Sequence, residues 1–270
     1  GVSAATCEFS RITCTNAGNL GIDSNDTLIV TNTVFGFGGT NRGTGLTLYG
    51  GTLVVPDAFA FSNCYVRIFT NAGSAFSPKA SLTIGTNGTL IVDRPHSLSN
   101  VTVKAGGVIT HDANGTVERY KVDLAIASNL TVEAGGRFDV TQKGYDGNAG
   151  PVSARSIDNI RGPSYGGQGA YDSGAPASPY GSIWGPTNIG AGGAFETGAG
   201  SRGGGAIILA VGGMTTFDGE MRANGGDRDG NCTAAGGGIY LTTGRLTGSG
   251  AMQANGGKAD AGGGGGGRIA

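Results

Sequence analysis

The side chains able to do chemistry are few and widely separated. Four acids, Glu133, Asp139, Asp218 and Glu220, fall in stretches that read as strands, and nothing in their spacing makes the converging carboxylate pair on which glycoside hydrolysis depends. The chain has no Asp-Asp dipeptide, no Gly-His-Gly and no Arg-Ile-Lys, and Arg268-Ile269 is followed by alanine. The strand acids are therefore expected to face outward as solubilising groups. His96 and His111 lie in different segments beside turns, where exposed loop positions are expected of them. Cys7, Cys14, Cys64 and Cys232 show neither a CxxC pair nor a Cys/His grouping at zinc spacing. Asp227-Arg-Asp229-Gly-Asn231 has the alternating oxygen ligands of a calcium loop without its distal glutamate, and reads as a solvated turn. Gly257-Lys258 is followed by Ala259 rather than Ser or Thr, so no phosphate loop is present. No catalytic residue, cofactor site or metal site is assigned.

Two kinds of covalent chemistry remain. Asn-x-Ser/Thr sequons occur at Asn25, Asn87, Asn100, Asn114, Asn129 and Asn231, and make these six the candidate sites of N-glycosylation, which would place the chain in a secretory pathway. The even number of cysteines agrees with an oxidising compartment. Cys7 and Cys14 are close enough in sequence to close a small loop. Cys64 and Cys232 are too far apart along the chain to meet in a stacked fold, unless a long excursion carries one to the other. Cys232 is then a candidate for a bridge to an N-terminal cysteine of another copy; the alternative has Cys7 joined to Cys14 and the other two free.

Composition narrows the architecture. The 270 residues include 56 glycines, and charged residues make up 14%, against 38% hydrophobic. A helix-packed core is improbable with so many residues lacking a side chain, while the apolar content is too high for a disordered, charge-swollen chain. Lys and Arg number 18 and Asp and Glu 19, for a net charge of -1, with no basic run of the kind that collects phosphates or anionic lipid. Nucleic acid is not expected as a partner. The longest apolar stretch, Ala206 to Val211, is far short of the ~18 residues of a membrane span. The chain opens on Gly1 rather than Met, as a processed chain or an excised fragment would, and Arg268-Ile269-Ala270 reads as the opening of a strand.

These sparse groups must be carried by short strands. One phrase recurs at Leu46–Val55, Leu82–Val92, Val101–Thr110 and Leu130–Val140, each time as strand, glycine turn, strand. The strands alternate apolar and polar and favour β-branched residues, and the turn glycines supply positive φ at a corner. A second repeat starts at Gly203, Gly236 and Gly265, where glycines run into a strand, and the first two copies lead on to Ala223-Asn-Gly-Gly226 and Ala254-Asn-Gly-Gly257. Four regions follow: an N-terminal cap or assembly segment (1–45), repeating coils (46–143), an excursion rich in Gly, Ser, Pro and Tyr (144–204), and glycine-rich coils (205–270). Tyr165, Tyr171, Tyr180 and Trp184 favour an ordered flap for the excursion. A constant phrase at irregular spacing fits the coils of a solenoid with loops of varying length. The expected fold is all-β, a parallel β-helix, in preference to a sandwich.

Gly203 to Leu209, Gly236 to Gly257 and Gly262 to Ala270 resemble the glycine-rich β-solenoid regions of large surface and secreted proteins, including bacterial adhesins and long extracellular proteins of protists. The resemblance covers roughly residues 80 to 270. It implies a non-enzymatic structural or adhesive role outside the cell. Self-association, head to tail in a surface filament, is expected because exposed terminal coils would otherwise stay unpaired, and cell-surface or matrix polysaccharide is a further expected partner. Parallel β-helices also host polysaccharide-cleaving enzymes, so a secreted carbohydrate-active or carbohydrate-binding protein is the alternative. Flat threonine arrays could bind ice or carbohydrate, but no Thr-x-Thr recurs at a constant interval.

Overall fold

The computed structural model describes residues 6–9, 19–24, 26–31, 34–35, 45–68, 75–76, 81–151, 162–170, 177–193, 200–227, 232–258 and 262–270. Every regular element among them is a β-strand, and every pairing between strands is parallel. The strands form a 4-, a 10- and an 8-stranded sheet. Three ladders organise them. The first is the 8-stranded sheet, running from Asn19–Asp23 through Gly45–Tyr49, Tyr65–Ile68, Thr89–Val92, Val108–Thr110, Arg137–Asp139 and Glu220–Arg222 to Ala251–Gln253. The second comprises Thr6–Phe9, Thr27–Val30, Thr52–Val54 and Ala75–Phe76 in one sheet, then His96–Leu98, Val122–Ile126 and the opening halves of Ala206–Phe217 and Gly238–Thr247 in another. The third holds Val34–Phe35, Ala58–Phe61, Ser81–Ile84, Asn100–Val103, Leu130–Val132 and the closing halves of those same two long strands. From Asn19 onward the chain visits first, second and third ladder in that cyclic order, circuit after circuit.

Period-2 alternation sets which residues face the interior. Ser81–Ile84, Thr89–Val92 and Asn100–Val103 each alternate half-buried with buried. Because the pairing is in register, the buried residues stack in rows. Leu46, Val66, Leu90, Ile109, Phe138 and Met221 form one row of the first ladder. Phe59, Leu82, Val101 and Leu130 form a row of the third. The rows join in a single apolar cluster, in which each fully buried Leu, Ile or Phe contributes about 2–3 kcal/mol of burial free energy.

The corners explain the repeated phrase. In Gly85–Gly88, Lys104–Gly107 and Glu133–Gly136 the fourth N–H donates to the first carbonyl, at 2.9, 2.8 and 2.8 Å. The third residue of each turn has positive φ: Asn87 at 55°, Gly106 at 77° and Gly135 at 83°. This is the geometry of a type II turn, which asks for Gly or Asn at that position. All three turn the chain from the third ladder into the first. Leu46–Val55 is different: its Gly50, at φ 101°, lies between the first and second ladders. That copy therefore sits at another corner, and its 36-residue offset from Leu82 is not the length of a circuit. The other two offsets are, since Leu82 pairs with Val101 and Val101 with Leu130. Ala223-Asn-Gly-Gly and Ala254-Asn-Gly-Gly also stack, with the Asn255 N–H donating to Asn224 Oδ1 at 2.8 Å across 31 residues.

The described parts of the excursion have no regular element yet are heavily hydrogen-bonded. The 188–193 segment bonds to three neighbours at once: Gly190 N–H donates to the Gly204 carbonyl at 2.8 Å, while its own carbonyl and that of Ala191 accept from Tyr145 and Ala235 at 3.1 and 2.9 Å. A strand has two neighbours; bonding in three directions suits extended chains with three residues per turn, as in polyproline II. Only glycine permits this packing. A Cβ on Gly203, Gly204 or Gly237 would land on the carbonyl oxygen of Gly190, Ala223 or Gly205. The glycine excess of the C-terminal half thus builds an interior from backbone in place of side chains.

Candidate functional site

The densest charged cluster lies where the first ladder turns toward the second. Asp93 follows Thr89–Val92, and His111 and Asp112 follow Val108–Thr110, so they occupy the same corner of successive circuits. Arg67, on the outward side of Tyr65–Ile68, reaches both carboxylates: its Nε is 3.3 Å from Asp93 Oδ2, and its Nη2 pairs with Asp112 Oδ2. The Asp112 N–H donates to Asp93 Oδ1 at 2.7 Å. Burial pushes the Asp93 carboxyl above the usual Asp range, opposed by the Asp112 amide and by Arg67.

His111 is 0% exposed, which corrects its expected place in an exposed loop. Its Nδ1 lies 2.6 Å from the Asp112 carbonyl, and its Nε2 takes the Ala206 N–H at 3.3 Å. A carbonyl only accepts, so Nδ1 carries the proton and Nε2 is the bare acceptor, the neutral tautomer. Burial, helped by Lys143 and Lys121 and opposed by the Asp112 carbonyl, lowers its pKa to about 4. The ring clasps the start of the long strand Ala206–Phe217, where the chain returns from its excursion. With Asp93 1% exposed and His111 closed off, Asp112 is the accessible member of the group.

A second cluster ties the excursion down. Glu118 accepts from Tyr145 Oη at 3.3 Å and Asn188 Nδ2 at 3.4 Å, and pairs with Lys121 at 2.5 Å. Tyr165 is fully buried, 4.8 Å from the Tyr180 ring between centroids, with the Arg268 guanidinium 5.8 Å over its face. Burial raises the Tyr145 and Tyr165 hydroxyls to about 12. Arg268 Nη2 also donates to the Tyr180 carbonyl at 3.2 Å. Of the four aromatics, Tyr165 and Tyr180 are held in this cluster, whereas Trp184 is 83% exposed; Tyr171 lies outside the described residues.

The modification candidates separate. Asn114 is 2% exposed: Nδ2 donates to the Tyr120 and Lys143 carbonyls, and Oδ1 accepts from the Arg119 and Tyr120 N–H groups. A glycan on that nitrogen would displace its bonds to the Tyr120 and Lys143 carbonyls, and in this fold Asn114 serves as an interior bracket. Asn87 Nδ2 donates to Asn63 Oδ1 at 3.2 Å. Asn100 and Asn129 cap the next circuit, their Oδ1 atoms accepting from the N–H of Asn129 at 3.2 Å and Met214 at 2.8 Å; Asn129 is exposed. Asn25, Asn231 and Cys14 lie outside the described residues, and Cys7 falls in Thr6–Phe9. No disulfide is seen among the described residues; Cys64 and Cys232 are both buried, and burial raises the Cys232 thiol. Cys232 is 2% exposed, so the bridge to another copy expected of it would require its surroundings to open.

The strand acids Glu133, Asp139, Asp218 and Glu220 are half-buried or exposed, and the last three have structural partners. Asp139 pairs with Arg137 at 3.6 Å, Glu220 with Arg222 at 2.7 Å, and Asp218 Oδ1 accepts from the Ser249 N–H at 3.0 Å. Asp227 Oδ1 likewise accepts from the Lys258 N–H at 2.7 Å, while the rest of the calcium-like loop is outside the described residues. Among the described residues, no three His, Cys, Asp or Glu side chains are grouped to hold a metal ion.

A feature missed by sequence reasoning is the outward surface of the second and third ladders. Thr83, Thr102, Thr131, Thr216 and Thr247 stand side by side on five consecutive rungs of the third ladder. On the second, Ser97, Ala125, Ala210 and Thr242 make a parallel exposed row. A shallow groove follows that second row, with Ala127 and Gly212 on its side. The chain intervals between these threonines are unequal, because each circuit carries loops of its own length, and no constant repeat exists to be read.

Comparison with protein-family models, with curated proteins and with solved structures found no match to this chain.

Proposed function

We propose that the chain is a parallel β-helix serving as a non-enzymatic structural or adhesive component outside the cell. The observation that carries this reading is the cyclic order of the three ladders, each lengthened by one parallel strand per circuit. A chain of this kind grows by adding rungs, and its outward faces are long, regular surfaces suited to holding a partner or a neighbouring copy. The perturbed groups support the same reading: Asp93 and His111 are buried in contacts that hold a corner and a crossover together. The sequons that remain at or near the surface and the scarcity of charge favour a secreted protein of the cell surface or matrix. No helix among the described residues is long and apolar enough to cross a membrane.

Electron microscopy of native material tests the structural role, and assembly into filaments through head-to-tail self-association is the expected result. Incubation with a polysaccharide panel, followed by assays for new reducing ends and unsaturated uronides, tests the non-enzymatic part. Release of either product would overturn it in favour of a carbohydrate-active β-helix.

A further inference from the structure

We infer that the joined outward face of the second and third ladders binds a neutral, linear polysaccharide lying along the stack. The inference rests on the adhesive reading above and names its ligand. Three observations carry it. The first is shape. The shallow groove at Ser97, Ala125, Ala210 and Thr242 crosses four successive strands, so it runs with the stack and perpendicular to the chain direction. Its floor is methyl and methylene surface, suited to the apolar face of a sugar ring. Tyr240, half-buried, stands two residues from Thr242 on the same side of its strand and adds an aromatic edge.

The second observation is the hydroxyl row beside it. Five in-register threonines at the ~4.8 Å strand spacing span roughly 19 Å, the reach of a short run of sugar residues. Thr83, Thr102, Thr131 and Thr216 are half-exposed, and their hydroxyls take no partner among the described residues. Each can both donate to and accept from a sugar hydroxyl. The exposed Asn129 lies at the corner between row and groove.

The third observation is charge. Around the groove and both rows the charged neighbours are Asp123 at one border, Arg245 on the last rung and, two residues past Thr102, Thr131 and Thr216, the side chains of Lys104, Glu133 and Asp218: three acids and two bases, with no two bases adjacent. On the neighbouring face Arg137, Asp139, Glu220 and Arg222 are adjacent on two strands of the first ladder, and Arg67 stands on another. A uronate or sulfated chain would find no cationic row on the threonine side, whereas a neutral glycan needs only hydroxyls and apolar contact. An ice surface would use the threonines but has no need of the groove, which makes it an outcome of the test.

The test is affinity electrophoresis through gels carrying a neutral linear glucan, mannan or xylan, or pectate or alginate, with thermal hysteresis measured in parallel. Wild-type protein is expected to be retarded by at least one neutral polymer and by neither uronate. Ala210→Arg fills the groove from an exposed position and should abolish the retardation; Ala251→Arg, exposed on the first ladder, should leave it unchanged. Equal thermal melts of the two variants establish that the fold is kept. Retardation by uronates alone, thermal hysteresis without retardation, retention of Ala210→Arg, or no retardation by any polymer each overturns the inference. Filaments seen in the last case would leave the structural reading standing, whereas released sugar ends would remove that reading without touching the groove.

Discussion

Acid should weaken this protein through one side chain. His111 is neutral in the folded chain, its Nδ1 proton given to the Asp112 carbonyl and its bare Nε2 facing the Ala206 N–H. Protonation would set two N–H groups against each other in a site with no water access. The pKa falls from the ordinary 6.5 to about 4. Above pH 6.5 the group is neutral folded and unfolded, and contributes no pH dependence. Between 6.5 and 4 the unfolded chain binds a proton that the folded chain refuses, so stability drops as pH falls; below about 4 the loss is complete. A shift of this size corresponds to about 3 kcal/mol, with a slope of up to ~1.4 kcal/mol per pH unit. Asp93 acts in the opposite sense, because burial raises its pKa and acid relieves its cost. Its contribution is common to wild type and variant and cancels in their difference. Urea unfolding of wild type and His111→Gln, from pH 7.5 down to 4, reads that difference. The wild type should be more stable at pH 7.5 and lose most of its advantage by pH 4. Nuclear magnetic resonance of the ring nitrogens should show one imidazole as the Nδ1–H tautomer across this window. Parallel stability curves, or both imidazoles titrating at 6.5 or above, would refute the clasp.

Other substitutions probe the parts separately. Gly237→Ala drives a methyl into the Gly205 carbonyl and should cost about 3 kcal/mol or more, whereas Gly185→Ala, with nothing within 4 Å, should change the unfolding midpoint little. Phe138→Ala should cost about 3–5 kcal/mol in chemical unfolding, because its ring is fully enclosed in the row between Ile109 and Met221. Arg67→Met removes the cation beside a buried carboxylate and should destabilise by about 3–5 kcal/mol at neutral pH, less in acid where Asp93 is protonated; an unchanged midpoint at neutral pH would count against the pair. Peptide mapping of native protein should find Asn114 unmodified, whatever the occupancy of Asn129, and a glycan there would contradict the four-bond hub.

Much of the all-β parallel architecture was legible from local chemistry. Alternation in Leu82–Ile84 and Val101–Val103 names their buried faces, and Asn-Gly, Ala-Gly-Gly and Ala-Gly-Gly announce type II corners, since positive φ is a property of one residue and its immediate neighbours. Which copies share a corner is not local. Leu46–Val55 has the same letters as the others and a different place, because the same strand–turn–strand phrase serves two corners. Candidate chemistry was less legible still. His111 looks like a loop residue until Gly205 and Ala206, 94 and 95 positions on, are laid over it, and Asn114 looks like a glycan acceptor until the 119–120 and 143 backbone closes around it. The threonine row shows the same division. The sequence by itself determined that each threonine stands on the outward side of its strand, because side chains alternate with period two along any strand. Only the tertiary structure decided that the five stand abreast, because register between strands depends on the length of chain stored in every intervening loop, and here that length changes at every circuit.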